Sequence, residues 1–312
     1  MIRNLFRLCT GALLVAALIP AAVRADDLDD DREPIERCAS GASEIGAQSY
    51  GFSLKSTLRI VGLTADGQLV CFSDKRPHRV RLVGAINGLH GDMRLLAIDF
   101  RAQDGLLYGL GDAGGVYRVD TANALVAPVG RLTVALTGSS TTIDFNPAAN
   151  ALRIIGNDGQ NLRQSFAAIP LAAATAIDGT LNFTATATPN PTAAAGIAGA
   201  AYTNNDLDAR TATTLFVLDT AADRIALQSP ANSGFLVATG SLGVDAVAPA
   251  GFDIYSVLRE NVSVAQRALA ALSVAGVVGL YDVDLLTGSA RLRGAIGSAS
   301  PVVSIAIPHH QF

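Results

Sequence analysis

Three aspartates recur in similar surroundings. Asp99 stands in LLAIDFRAQDG (95–105), Asp144 in STTIDFNPAAN (140–150) and Asp253 in GFDIY (251–255). Carboxylates brought to one point repel unless something neutralises them, so three together would suit a hard, oxygen-seeking cation such as calcium. A plainer use stays open beside that one, in which each aspartate holds its own turn or an adjacent backbone amide. A second set is rich in amides: Asn146, Asn157, Gln160, Asn161, Arg163, Asn204 and Asn205, with Asp158 and Asn232 nearby. Such side chains donate and accept at once, as sugar or peptide recognition needs, and Arg163 can hold a carboxylate. They also suit tight turns, because Asn tolerates the left-handed conformation.

Other chemistry is less well supported. GLGDAG (109–114) matches the dinucleotide fingerprint in letters, but VYRVD follows it where a helix would have to begin. Without a helix N-terminus there is no phosphate cradle, and the string reads as a hairpin turn. No Gly-x-Ser-x-Gly elbow is present. His78 and His90 stand alone, and His309 and His310 lie near the C-terminus; each reads as a surface residue.

The elements that must position these residues follow from an internal repeat, whose period decides the fold. RIVGLTADGQLVCFS (59–73) aligns without a gap on LLYGLGDAGGVYRVD (106–120), placing Gly62 on Gly109 and Gly67 on Gly114. The shift that superposes Ile98 on Ile143 also superposes Leu107 on Leu152 and Gly114 on Gly159. Each unit is therefore an opening strand, a hairpin and a fourth strand, ALVAPVGRL (124–132) in one copy and GFLVATGSL (234–242) in another. A fifth unit opens at GFDIY and closes with ARLRGAIG (290–297). The apolar run 268–280 falls where that unit needs its second strand, and so reads as core rather than membrane.

The first copy has no opening strand, whereas PVVSIAIP (301–308) is an orphan strand of the right type. Pairing the two closes a ring, where an open one would leave two sheets with exposed faces. The expected fold is all-β: a five-bladed β-propeller, residues 58–312, whose C-terminal strand completes the first blade. The units average about 50 residues, near known blade lengths. The alternatives are six blades, with a degenerate one in 163–196, or a pair of β-sandwiches. In a propeller the opening strands line the central channel, and the equivalent positions there are Asp99, Asp144, Ala201, Asp253 and Ala306.

Residues 1–25 carry Arg3 and Arg7, a short apolar run broken by Pro20, and a small-residue cleavage site ending at Ala25. That order predicts a secretory signal peptide, too short to span a bilayer, which takes about 20 apolar residues. Its removal takes Arg3, Arg7 and Arg24 and no acid, moving the formal charge from −4 to −7. An acidic exterior disfavours nucleic acid as a partner. Residues 26–57 read as a flexible linker that opens on the acidic run DDLDDDREPIE (26–36). Cys38 and Cys71 survive processing and form a candidate disulfide in an oxidising compartment, although spacing alone cannot establish the pairing.

The strings DFRAQDGLLYGLG, DFNPAANALRIIGNDGQNLR, AAYTNN, TTLFVLDT and GSLGVDAVAPAGFDI together resemble the exported bacterial domain-of-unknown-function family numbered 4394. The resemblance runs from about 58 to 307. It implies a propeller-like fold and export, and no catalytic residues. The expected function is a ligand- or protein-binding module of the periplasm or cell exterior, taking a small molecule, glycan or protein, with no membrane span once the signal is removed. A calcium-dependent hydrolase of the lactonase kind, working in the channel, and a structural envelope protein are the alternatives.

Overall fold

The computed structural model describes residues 57–183 and 192–311. The signal segment, nearly all of the acidic linker and Cys38 lie outside them. The described chain forms five separate sheets arranged as a ring. Blade 1 contains β1 (Arg59–Thr64), β2 (Gln68–Ser73) and β3 (Arg76–Ala85). Blade 2 is β4 (Leu95–Phe100), β5 (Leu107–Gly111), β6 (Gly115–Val119) and β7 (Val126–Arg131). Blade 3 is β8 (Thr141–Asn146), β9 (Ala151–Gly156), β10 (Asn161–Ser165) and the short β11 (Ala176–Ile177). Blade 4 is β14 (Ile197–Tyr202), β15 (Leu215–Asp219), β16 (Arg224–Gln228) and β17 (Phe235–Ser241), widened at its outer edge by β12 (Asn182–Phe183) and β13 (Thr192–Ala193). Blade 5 is β18 (Ala246–Arg259), β19 (Val262–Val274), β20 (Val277–Val283) and β21 (Ala290–Ala295).

The ring closes as the repeat requires. β22 (Val302–Ala306) pairs antiparallel with β1, in a register that sets Val61 opposite Ala306, and becomes the innermost strand of blade 1. The sixth blade entertained for 163–196 is not formed. The described residues of that stretch supply the end of β10 and the two-residue strands β11 to β13, which add to blades 3 and 4.

Each blade is sandwiched between two others, so its inner strands must be apolar on both faces. This explains continuous runs such as Leu107–Gly111, buried throughout, where a sheet with one wet face would alternate. The outer strands do face water, and β7 buries only its first and fourth residues. Among the described residues five apolar clusters fill the gaps between neighbouring blades. Leu63 with Phe100 represents the gap between blades 1 and 2, and Tyr255 with Ile305 the gap between blades 5 and 1. The turn after each second strand needs a left-handed residue, and Gly67, Gly114 and Gly159 supply it at φ 78°, 85° and 91°. These are the glycines that the repeat superposes.

Near the axis, backbones approach so closely that side chains become obstacles. A Cβ on Gly251 of β18 would stand 2.7 Å from the Ile305 amide nitrogen of the closing strand. Gly251→Val is therefore expected to destabilise the ring by about 1–3 kcal/mol or more, the usual cost of overpacking. A urea midpoint equal to that of the wild type would show that blades 5 and 1 do not meet this way.

Candidate functional site

The opening strands β4, β8, β14, β18 and β22 surround the axis, and the aspartates of three of them converge there. Asp99, Asp144 and Asp253 are 3–6 % exposed. Each offers an oxygen, and these oxygens lie within 4.8 Å of one another. Burial, joined by the facing carboxylates, pushes Asp99 and Asp144 well above the usual carboxylate range. Burial raises Asp253 to about 7, against the opposing pull of hydrogen bonds from the Ile307 and Ile254 amides. Without a cation, burial and mutual repulsion both favour the protonated form of the trio.

The same carboxylates join blades. Asp99 accepts the amide of Phe145 in blade 3 at 2.7 Å, and Asp144 accepts that of Tyr202 in blade 4 at 2.9 Å. Asp253 accepts that of Ile307, just past β22, at 2.6 Å. Asp99 and Asp253 also use their second oxygen, on the amides of Phe100 and Ile254. The second oxygen of Asp144 accepts no hydrogen bond from the described residues. Where the unit carries alanine, other side chains make the tie. Asn205 joins blade 4 to blade 5 through the Ile254 carbonyl and the Ser256 hydroxyl, and Ser304 accepts the Ile98 amide to join blade 1 to blade 2. Every junction of the ring thus has a polar tie near the axis. The adjacent-backbone role foreseen for the aspartates is present, and it leaves lone pairs free for a cation.

Sequence reasoning singled out Asn161, Arg163 and Asn232 but missed Arg153 and Asp178, which gather them. Arg153 of β9 is 2 % exposed. It donates to Asp178 and Asn161 at 2.7 Å each, to Asn232 at 2.7 Å and to the Tyr202 hydroxyl at 3.2 Å. It ties blade 3 to blade 4, and Asp178 also pairs with Arg163 at 3.2 Å. The hint to Arg153 itself is an arginine inside the otherwise apolar strand ALRIIG.

The amide-rich set is dispersed around the ring. Asn146 caps its turn by accepting the Ala149 amide, and Asn157 accepts the amides of Ser139 and Ser140. Asn204, at φ 57°, holds Gln266 and the Ala212 carbonyl. Gln160 and Asn161 do meet, at a cavity of about 250 Å³ beside blade 3, lined also by Thr137, Asp158, Asp178 and Thr180, with Val134, Leu162 and Ile177 as apolar walls. Gln160 there clasps the Thr137 amide and the Ala135 carbonyl.

GLGDAG forms the hairpin turn between β5 and β6. His309 packs edge-on against Phe100 and contacts its carbonyl at 3.1 Å; burial lowers it to about 4, so the ring is neutral at physiological pH. Cys71 is disulfide-bonded. No helix of the described residues is long and apolar enough to cross a membrane.

No curated protein sequence matches this chain. Among solved structures, the chain resembles one from a nidogen/laminin complex at 11 % identity and TM-score 0.45, covering 82 % of this chain and 100 % of the other. A protein from Lactobacillus plantarum gives 13 % identity and TM-score 0.40, over 81 % and 99 %. An auxiliary nutrient binding protein from Bacteroides thetaiotaomicron gives 14 % and 0.38, over 75 % and 57 %. Likeness at this level carries no functional information. The family described as domain of unknown function DUF4394 matches residues 68–306, from the start of β2 to the end of the closing strand, and the chain belongs to that family.

Proposed function

We propose that the protein is an exported binding module that takes a small polar ligand, of the size of a monosaccharide or a single amino acid, in the cavity beside blade 3. The supporting observation is the lining itself. Thr137, Asp158, Gln160, Asn161, Asp178 and Thr180 gather donors and acceptors around apolar walls, the mixture that fixes a polar ligand in place. Glycans are favoured over anions, because two carboxylates face the space. The experiment is a thermal-shift screen with neutral monosaccharides and single amino acids. One class should raise the melting temperature. Ile177→Trp, which fills the mouth of the cavity from an exposed position, should abolish that rise without altering the ligand-free value. If no probe raises it, the reading is wrong.

A second reading rests on the carboxylate trio. Its donors are all hard anionic oxygens, as calcium prefers, and one oxygen of Asp144 accepts no hydrogen bond from the described residues. Three aspartates supply part of the six to eight oxygens that calcium takes. A bound calcium would neutralise the trio and clamp blades 2, 3 and 5. Burial of the trio favours such an ion over a hydrolysed substrate, which would need access.

A further inference from the structure

The cavity beside blade 3 has polar walls, but most of their hydrogen-bonding capacity is already spent within the protein. Asn161 gives its Nδ2 hydrogens to the Gly179 and Ala231 carbonyls, at 2.9 and 3.1 Å, and its Oδ1 accepts Arg153. Asp178 accepts Arg153 and Arg163 on Oδ2, and Arg163 again on Oδ1 at 3.4 Å. Gln160 turns its Oε1 to the Thr137 amide and one Nε2 hydrogen to the Ala135 carbonyl, which leaves it a single N–H.

Three polar side chains of the lining remain, and all three are exposed: Thr137, Asp158 and Thr180. Asp158 accepts the Gln160 amide on Oδ1 at 3.1 Å. Among the described residues its Oδ2 accepts no hydrogen bond and its carboxylate enters no ion pair. The Thr137 and Thr180 hydroxyls make no hydrogen bond there either, since Thr137 is engaged through its amide and Thr180 through its carbonyl. The open groups are one anionic acceptor, two hydroxyls that donate or accept, and one N–H.

An anion would find few donors in this set. A donor-rich ligand with one positive charge would satisfy it, and a formal charge of −4 favours the approach of a cation. The two carboxylates differ in what they can still hold. Asp178 carries two guanidiniums, so an ammonium belongs at Asp158, and uncharged hydroxyls belong toward Thr180, two residues from Asp178. Val134, Leu162 and Ile177 give the C–H face of a ring an apolar seat.

We infer that the ligand of this cavity is an amino sugar, with its ammonium on Asp158 and its hydroxyls on Thr137 and Thr180. The inference rests on the cavity reading and narrows it, making Asp158 the residue that selects charged from uncharged sugars.

The test is calorimetric titration of the purified protein at about pH 6, where the amine is protonated and Asp158 ionised. The probes are glucosamine, N-acetylglucosamine and glucose. Glucosamine should bind about tenfold tighter than either uncharged sugar, the gain of one charge-assisted hydrogen bond at a partly open site. Asp158→Asn keeps the Oδ1 that holds the Gln160 amide and removes the charge, so it should bring glucosamine down to the level of glucose. Thr137→Val with Thr180→Val should weaken glucosamine about tenfold, and an unchanged affinity overturns the placement. If the three sugars bind alike and Ile177→Trp abolishes all of them, the cavity reading stands and the amino-sugar inference is overturned. If none binds, the inference is overturned as well, and the amino-acid arm of the thermal-shift screen decides the cavity reading by itself.

Discussion

Replacing Arg153 with leucine is expected to lower the unfolding free energy by about 3–5 kcal/mol, the usual result of removing one partner from a buried ion pair. The guanidinium satisfies Asp178, Asn161, Asn232 and the Tyr202 hydroxyl, and leucine satisfies none of them. Asp178 would keep only Arg163, whose side chain is 37 % exposed. Arg163→Leu is the contrasting case. It leaves the shorter Arg153–Asp178 bond in place, so it should cost less than about 1 kcal/mol, as exposed pairs do. Urea unfolding of both variants measures the difference. Equal midpoints would mean that Arg153 does not hold blades 3 and 4 together.

Raising the pH of the calcium-free protein from 5.5 to 8 is expected to destabilise it, the reverse of what ordinary ion-paired carboxylates produce. Asp253 titrates at about 7 in the fold, against about 3.9 in an unfolded chain, and Asp99 and Asp144 are raised as well. The native state then holds protons that the unfolded chain has released. Stability from this source is complete below about pH 4 and is lost as the pH rises through about 7. Each such proton gives a slope of about 1.4 kcal/mol per pH unit between the two values, and Asp253 alone amounts to on the order of 4 kcal/mol.

The three aspartates should respond differently to amidation. Asp144→Asn keeps its single bond from the Tyr202 amide and removes one negative charge, so it should stabilise the protein at pH 8. Asp99→Asn and Asp253→Asn each turn an NH2 toward a backbone amide and should destabilise it. Millimolar calcium should reverse the pH trend in the wild type, because it binds deprotonated ligands, and should do less in Asp144→Asn. A stability curve flat between pH 5.5 and 8 would contradict the raised values. A flat response to calcium would remove the cation reading and leave the pH prediction standing.

Much of the ring was legible in the sequence because it is written repeatedly. Ile-Asp-Phe occurs twice at one spacing, the turn glycines superpose, and an orphan strand at 301–308 matches a missing one at the other end. The channel trio was legible for the same reason, since equivalent positions on opening strands meet at the axis. The Arg153 assembly was not, because its partners at 161, 178, 202 and 232 belong to different units and share no period. Ser304 was hidden likewise, and Asn205, singled out for its amide, was not read as a tie between blades: each makes the link that aspartate makes elsewhere, so alignment by residue type does not assign that role. Several of the amides singled out, Asn146, Asn157 and Asn204 among them, serve turns. Composition cannot separate a side chain that holds its own loop from one that awaits a ligand.

The pairing of β22 with β1 also sets the order in which the molecule can be built. Blades 2 to 5 each draw their strands from one continuous stretch and can form as the chain emerges. Blade 1 must wait, with the inner edge of β1 bare, until residue 306 has been made. For nearly the whole of synthesis the nascent protein is an open arc with one unfinished end, which is when an unprotected strand edge can recruit another chain. Completion then depends on a contact across some 240 residues, which favours slow, all-or-none assembly over gradual accretion.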